Sequence, residues 1–162
     1  MAVPVGPRTL LLTFVVTALL SSAYSLDFEY CNKRAHYPVK VKEIEISPLP
    51  IKRGVPVTFS ISASAGESIS KGKLVIDVAY WIIHVHEETD DVCTKTSCPI
   101  ATGDFVISHQ QTLPSLTPPG SYTLTMKLLG EDGKELLTCI TFGFSIGFAS
   151  EVADIASEVA NI

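Results

Sequence analysis

Charge is scarce in this chain, and the little there is leans acidic. Only 18% of the residues are charged, with 12 Lys and Arg against 17 Asp and Glu. No cationic stripe exists for a phosphate backbone to follow, so nucleic acid is not an expected partner. There is no G-x-S-x-G elbow, no glycine-rich phosphate loop and no lone cysteine. Acyl-enzyme hydrolysis and nucleotide chemistry therefore have no motif to stand on, and no enzyme is expected. No Asn-x-Ser/Thr sequon occurs, so N-glycosylation is not expected either.

What is present suits a β-rich fold. The 162 residues are enough for one domain, and 10 Gly with 10 Pro punctuate the middle of the chain as turns do in all-β proteins. Residues 1–25 read as a secretory signal peptide. They carry Arg8, an apolar run from Leu10 to Leu20 and the small-residue ending Ala23-Tyr24-Ser25, with cleavage expected after Ser25. The apolar run is short for a membrane span. Residues 26–148 are the expected domain and 149–162 a tail. The expected address is the secretory pathway, extracellular or vacuolar, where disulfides persist. Four cysteines allow three pairings. Cys93 and Cys98 are close enough to close one loop, which leaves Cys31 with Cys139. Zinc is the rival reading, and a single C-x4-C without a second clustered pair is weak for it.

Val55–Ala63 alternates cleanly. Val55, Val57, Phe59, Ile61 and Ala63 face one way, Pro56, Thr58, Ser60 and Ser62 the other, so one face is buried and one wet. Val39–Ile46 alternates with a slip that a bulge near Glu43 would repair. Ser47–Pro50 reads as a strand switch, since proline gives no ladder donor. Lys73–His86 is apolar on both faces and reads as one central strand, or one that changes face through a bulge. An acidic loop follows, then the Cys93–Cys98 turn, then Asp104–Gln111 as a neighbouring strand. Tyr122, Leu124, Met126 and Leu128 alternate along another, and Asp132-Gly133 marks a hairpin. Ile140, Phe142, Phe144 and Ile146 alternate along the last. Six or seven such strands predict an all-β, immunoglobulin-like, two-sheet antiparallel β-sandwich. The tail repeats one heptad, ASEVADI then ASEVANI, with Val152, Ile155, Val159 and Ile162 at helical spacing, too short to hold a helix alone.

His84-Val85-His86-Glu87 invites a metal reading, because residues i and i+2 of a strand share a face. An open catalytic site needs three protein ligands, and His36 and His109 are the only other histidines. The chain is expected to bind neither metal nor other cofactor. The strands carry a heavy load of large apolar side chains. Either these fill a packed core, or the sheets splay and line a cavity.

The stretches VKVKEIEISPLPIKRG after Cys31, LVIDVAYWIIHVHEETDDVCTKTSCPIATGDF, and LPSLTPPGSYTLTMKLLGEDGKELLTCITFGFSIGF resemble the ML (myeloid-differentiation-factor-related lipid-recognition) domain family, in its single-domain plant form. The likeness runs from about Phe28 to Phe148. It implies a sandwich holding a phospholipid or sterol between its sheets, without catalysis, on a monomer that touches membranes transiently. The alternative it leaves is a signalling or defence module that binds a protein partner. The early cysteine pair of animal sterol carriers has no counterpart in Ile46–Pro50. On this reading the cavity is lined by Val57, Phe59, Ile61, Val78, Tyr80, Trp81, Ile83, Val85, Phe105, Ile107, Tyr122, Leu124, Met126, Phe142, Phe144 and Ile146. His84, His86, Lys40 and Lys42 are candidates for head-group contact.

Overall fold

The period-two alternation of the sequence becomes two sheets stacked face to face. The computed structural model describes residues 24–147. Their strands are β1 (Tyr24–Ser25), β2 (Phe28–Tyr30), β3 (Val39–Ser47), β4 (Pro56–Ala65), β5 (Lys73–Tyr80), β6 (Ile83–Asp91), β7 (Gly103–Thr112), β8 (Gly120–Leu129) and β9 (Leu136–Ile146). One sheet has the order β1-β3-β4-β7 and the other β2-β9-β8-β5-β6, and every pairing is antiparallel. The expected leader lies outside the described residues except for Tyr24 and Ser25. Cleavage after Ser25 would strip β1 from its partner β3. The heptad tail also lies outside them.

Val57, Phe59, Ile61 and Ala63 of β4 are buried against Leu124, Met126 and Leu128 of β8 and Ile140 and Phe142 of β9 in one continuous core. Each large aliphatic or aromatic side chain taken from water here contributes roughly 1.5–3 kcal/mol. The slip expected near Glu43 is present, as a register shift between Val41 and Glu43.

Several elements differ from the sequence reading. The run Lys73–His86 is a hairpin, β5 and β6, turning at Trp81-Ile82 with Tyr80 paired to Ile83. Trp81 has φ +58°, a positive value at the first of two central residues, as a type II′ turn requires. Glycine is the usual residue there, so no sequence signal marked the turn. The supposed acidic loop is the second half of β6, an edge strand whose charges suit an edge. Asp104–Gln111 belongs to the opposite sheet, so the Cys93–Cys98 turn carries the chain across the sandwich. Ser47–Pro50 changes no sheet, because β3 and β4 are neighbours. The lead-in contains β2.

Both cysteine pairs form as expected. Cys31–Cys139 spans 108 residues with Cα atoms 5.4 Å apart, and Cys93–Cys98 spans 5 with Cα atoms 5.3 Å apart.

A cavity at the open end of the sandwich

β6 and β7 are the free edges of the two sheets, and they lie on the same side of the sandwich. At one end, the Cys93–Cys98 turn joins them. Farther along, polar side chains bridge them. Glu88 on β6 reaches His109 on β7 (Oε1 to Nε2, 3.3 Å) and also His86 (Oε2 to Nε2, 3.1 Å). Lys95, in the turn, holds Asp90 at 2.9 Å. Beyond this latch the sheets part and enclose a cavity of about 390 Å³, within the range of small-molecule pockets.

An aromatic chain forms much of its wall. Tyr80 and Tyr122 lie 5.0 Å apart, Tyr122 stacks on Phe144 at 5.5 Å, and Phe59 meets Phe144 edge-on at 5.7 Å. Ile76, Val78, Val85, Leu124 and Ile146 supply aliphatic surface. The loop 113–119 roofs the cavity through Leu113, Pro114, Thr117 and Pro118. Two hydroxyls tie that roof down. Tyr122 donates to the Pro118 carbonyl at 2.7 Å and Tyr80 to the Pro119 carbonyl at 3.3 Å. Gly120 makes this closeness feasible. It sits at φ +136°, and a Cβ there would lie 2.9 Å from the Tyr80 ring.

Polar groups are few and lie along the β6–β7 seam, namely His86, His109 and Gln111. Burial pushes the His109 imidazole below the ordinary histidine range, although the neighbouring Glu88 carboxylate pulls the other way. Burial and the adjacent Tyr80 raise the Tyr122 phenol, while Arg53 nearby opposes the shift.

The sequence-derived lining divides into three groups. Phe59, Val78, Tyr80, Val85, Tyr122, Leu124, Phe144 and Ile146 border the cavity. Val57, Ile61, Ile107, Met126 and Phe142 are buried in the closed core instead, and Phe105 packs half-buried beside it, opposite Ala63. They face inward as the alternation says, but the sheets are in contact there. Trp81 and Ile83 point to solvent, 82% and 63% exposed, because they sit on the hairpin turn. Of the head-group candidates, only His86 borders the cavity. His84 turns outward to Asp77 at 2.8 Å, which raises its pKa. Lys40 and Lys42 lie on the outer face of β3, where Lys42 pairs with Asp104 at 2.6 Å. The metal reading of His84 and His86 is not what the geometry groups. Ligand atoms of Glu88, Asp90 and His109 lie within 4.8 Å of one another, with Lys95 already on Asp90.

Sequence reasoning missed His109, Gln111 and the 113–119 roof. One signal was present: His109 and Gln111 continue the inward face of Phe105 and Ile107, so polar residues replace apolar ones where the face stops being dry. The register shift between Val78 and Ala79 was the other. It leaves Val85 as an extra residue on β6, and both Val85 and His86 then border the cavity.

The ML domain family profile matches residues 25–146. The chain is similar to a phosphatidylglycerol/phosphatidylinositol transfer protein of Aspergillus oryzae, 31% identical over 118 residues that cover 69% of this chain and 67% of the other. It is also similar to the MD-2-related lipid-recognition protein ROSY1 of Arabidopsis thaliana, 30% identical over 155 residues, 90% of this chain and 94% of the other. Among solved structures it resembles a Niemann-Pick type C2 protein from the Japanese carpenter ant. The TM-score is 0.61 at 17% identity, covering 74% of this chain and 98% of that one. Chicken MD-1, solved with lipid IVa, gives a TM-score of 0.51 at 13% identity, covering 78% and 97%. Two antiparallel sheets, the profile match over most of the chain and these relatives agree: the chain belongs to the ML domain family.

Proposed function

We propose that the chain is a non-enzymatic lipid carrier of the secretory pathway, acting outside the cell or in the vacuole. It holds one lipid, phospholipid or sterol, with its apolar part between the sheets. The observation that carries this reading is the cavity: about 390 Å³, walled by tyrosines, phenylalanines and aliphatics, with its polar groups confined to one seam. The names of the relatives from Aspergillus and Arabidopsis support lipid as the ligand class. The two disulfides support the secretory route.

The energetics suit exchange. Each methylene removed from water contributes roughly 0.8 kcal/mol, so a 16-carbon chain gains on the order of 12 kcal/mol gross. A bilayer interior offers the same chain nearly the same gain. Passage between bilayer and cavity is then close to neutral, while escape into water is not. At the low end of pocket volumes, the cavity takes one chain or a ring system, and the polar part of the lipid stays at the seam with His86, His109 and Gln111.

The test is extraction of the purified protein with organic solvent followed by mass spectrometry, with uptake of fluorescent phospholipid and fluorescent sterol alongside. A stoichiometric lipid, or saturable uptake at one per chain, is the expected result. Absence of both would end the proposal.

A further inference from the structure

The chain carries more acid than base, yet one end of it carries no acid in its loops. The loops 48–55, 81–82 and 113–119 meet at the cavity end, since Pro56 pairs with Thr112 and Tyr80 with Tyr122. Their charged residues are Lys52 and Arg53 alone. The same end collects most of the large apolar side chains left in solvent among the described residues. Ile82 is 90% exposed, Leu116 92% and Trp81 82%, with Leu49 and Val55 at 40% each.

Two details set this apart from ordinary surface scatter. Trp81 holds φ +58°, where a bulky L-residue is strained and glycine is not. Because its ring is exposed, burial does not repay that strain, so the fold itself gains nothing from tryptophan at this position. Arg53 adds the second. Its Nε and Nη2 are buried and meet no hydrogen-bond partner among the described residues, so a guanidinium with unspent donors stands at the same end. Tryptophan beside apolar and cationic side chains is the composition of surfaces that sit at a bilayer interface.

Resting on the carrier reading above, we propose that this end docks on an anionic lipid bilayer. Trp81, Ile82 and Leu116 enter the interface and Lys52 and Arg53 meet lipid phosphates. The hairpin tip and the 113–119 roof flank the cavity, so docking brings its mouth against the membrane. The acidic remainder of the molecule faces away, which orients it.

Flotation with vesicles of phosphatidylcholine alone, and of phosphatidylcholine with 30% phosphatidylglycerol (~30%, a composition typical of anionic surfaces), tests this on the full chain. The native protein should float with the anionic vesicles, and less so as salt screens the charges. Trp81→Ser with Ile82→Ser should weaken binding by roughly 100-fold, about tenfold for each exposed side chain. Lys52→Gln with Arg53→Gln should weaken it on the order of 30-fold on anionic vesicles and little on neutral ones. Trp81→Gly should bind less while melting at the same or a higher temperature, which separates docking from folding. Loading from detergent-dispersed lipid should survive in every variant. Native protein that loads lipid but ignores both vesicles would overturn the docking and leave the carrier reading intact, whereas native protein that docks but never loads would sink the carrier reading alone. Unchanged flotation of the Trp81→Ser/Ile82→Ser variant also overturns the docking. So does self-association that those substitutions abolish, or vesicle binding that appears only after Val152→Ser and Ile155→Ser, since either gives the face to another occupant.

Discussion

Val78→Trp should empty the cavity of lipid without unfolding the protein. Val78 faces inward on β5 opposite Leu124 on β8 and borders the cavity, so an added indole has open space before it. Tryptophan brings about seven more heavy atoms than valine, which displace a similar number of ligand methylenes at roughly 0.8 kcal/mol each. The loss is ~5 kcal/mol, close to four decades in affinity. The fold should hold, because the new ring fills a void and overpacks nothing. A control is Val106→Trp on the outer face of β7, where the side chain is 50% exposed and affinity should not change. Titration with a fluorescent acyl lipid, alongside thermal melting, reads both effects. A Val78→Trp protein that melts like the native one and binds lipid as tightly would show that the ligand does not lie between the sheets. Ala63, although it faces inward, is a poor place for such a block, because it lies in the closed core.

The other predictions concern the scaffold. Removing Cys31–Cys139 as a serine pair should cost ~4–5 kcal/mol by loop entropy, and removing Cys93–Cys98 only ~2 kcal/mol, which urea unfolding of the two double variants would rank. Gly120→Ala should cost roughly 1–3 kcal/mol from its backbone conformation together with the contact on Tyr80, and lipid should dissociate faster as the roof loosens. Acidification should destabilise the protein through His109. Burial lowers its folded pKa, so as pH falls through ~6.5 the unfolded chain takes a proton the folded chain refuses, and stability drops until the folded value is passed. Glu88, His86 and Asp90 on β6 and Lys95 in the turn surround it. His84, raised by Asp77, contributes in the opposite sense, its share being lost as pH rises. It is exposed and screened, so His109 sets the sign. Urea midpoints from pH 8 to pH 5 (about the range in which histidine titrates) should fall, and His109→Gln should flatten the curve. A midpoint that rises with acid would contradict this reading.

Strand positions and cysteine partners were legible because both are written in spacing. Alternation in β4, β8 and β9 says which side chains point inward, and a five-residue separation says that Cys93 and Cys98 can close on each other. The distance between the sheets is not written there. Phe59 and Ile61 obey the same alternation on the same strand, yet Phe59 borders the cavity and Ile61 lies in closed core. The β5–β6 turn was illegible for a different reason. Its central residue is tryptophan where glycine would be unstrained, so a hairpin read as one long strand, and Trp81 and Ile83 were assigned to the interior. Charges on β6 imitate a loop in composition, whereas in the fold they protect an edge and, through Glu88, latch it to β7.

A crystal of the protein loaded with a lipid brominated along its acyl chain would test the central claim most directly. The account predicts anomalous bromine peaks between Phe59 on one sheet and Leu124 and Phe144 on the other, below the 113–119 roof. Bromine found only on the outer surfaces, with the space between the sheets unchanged, would contradict it.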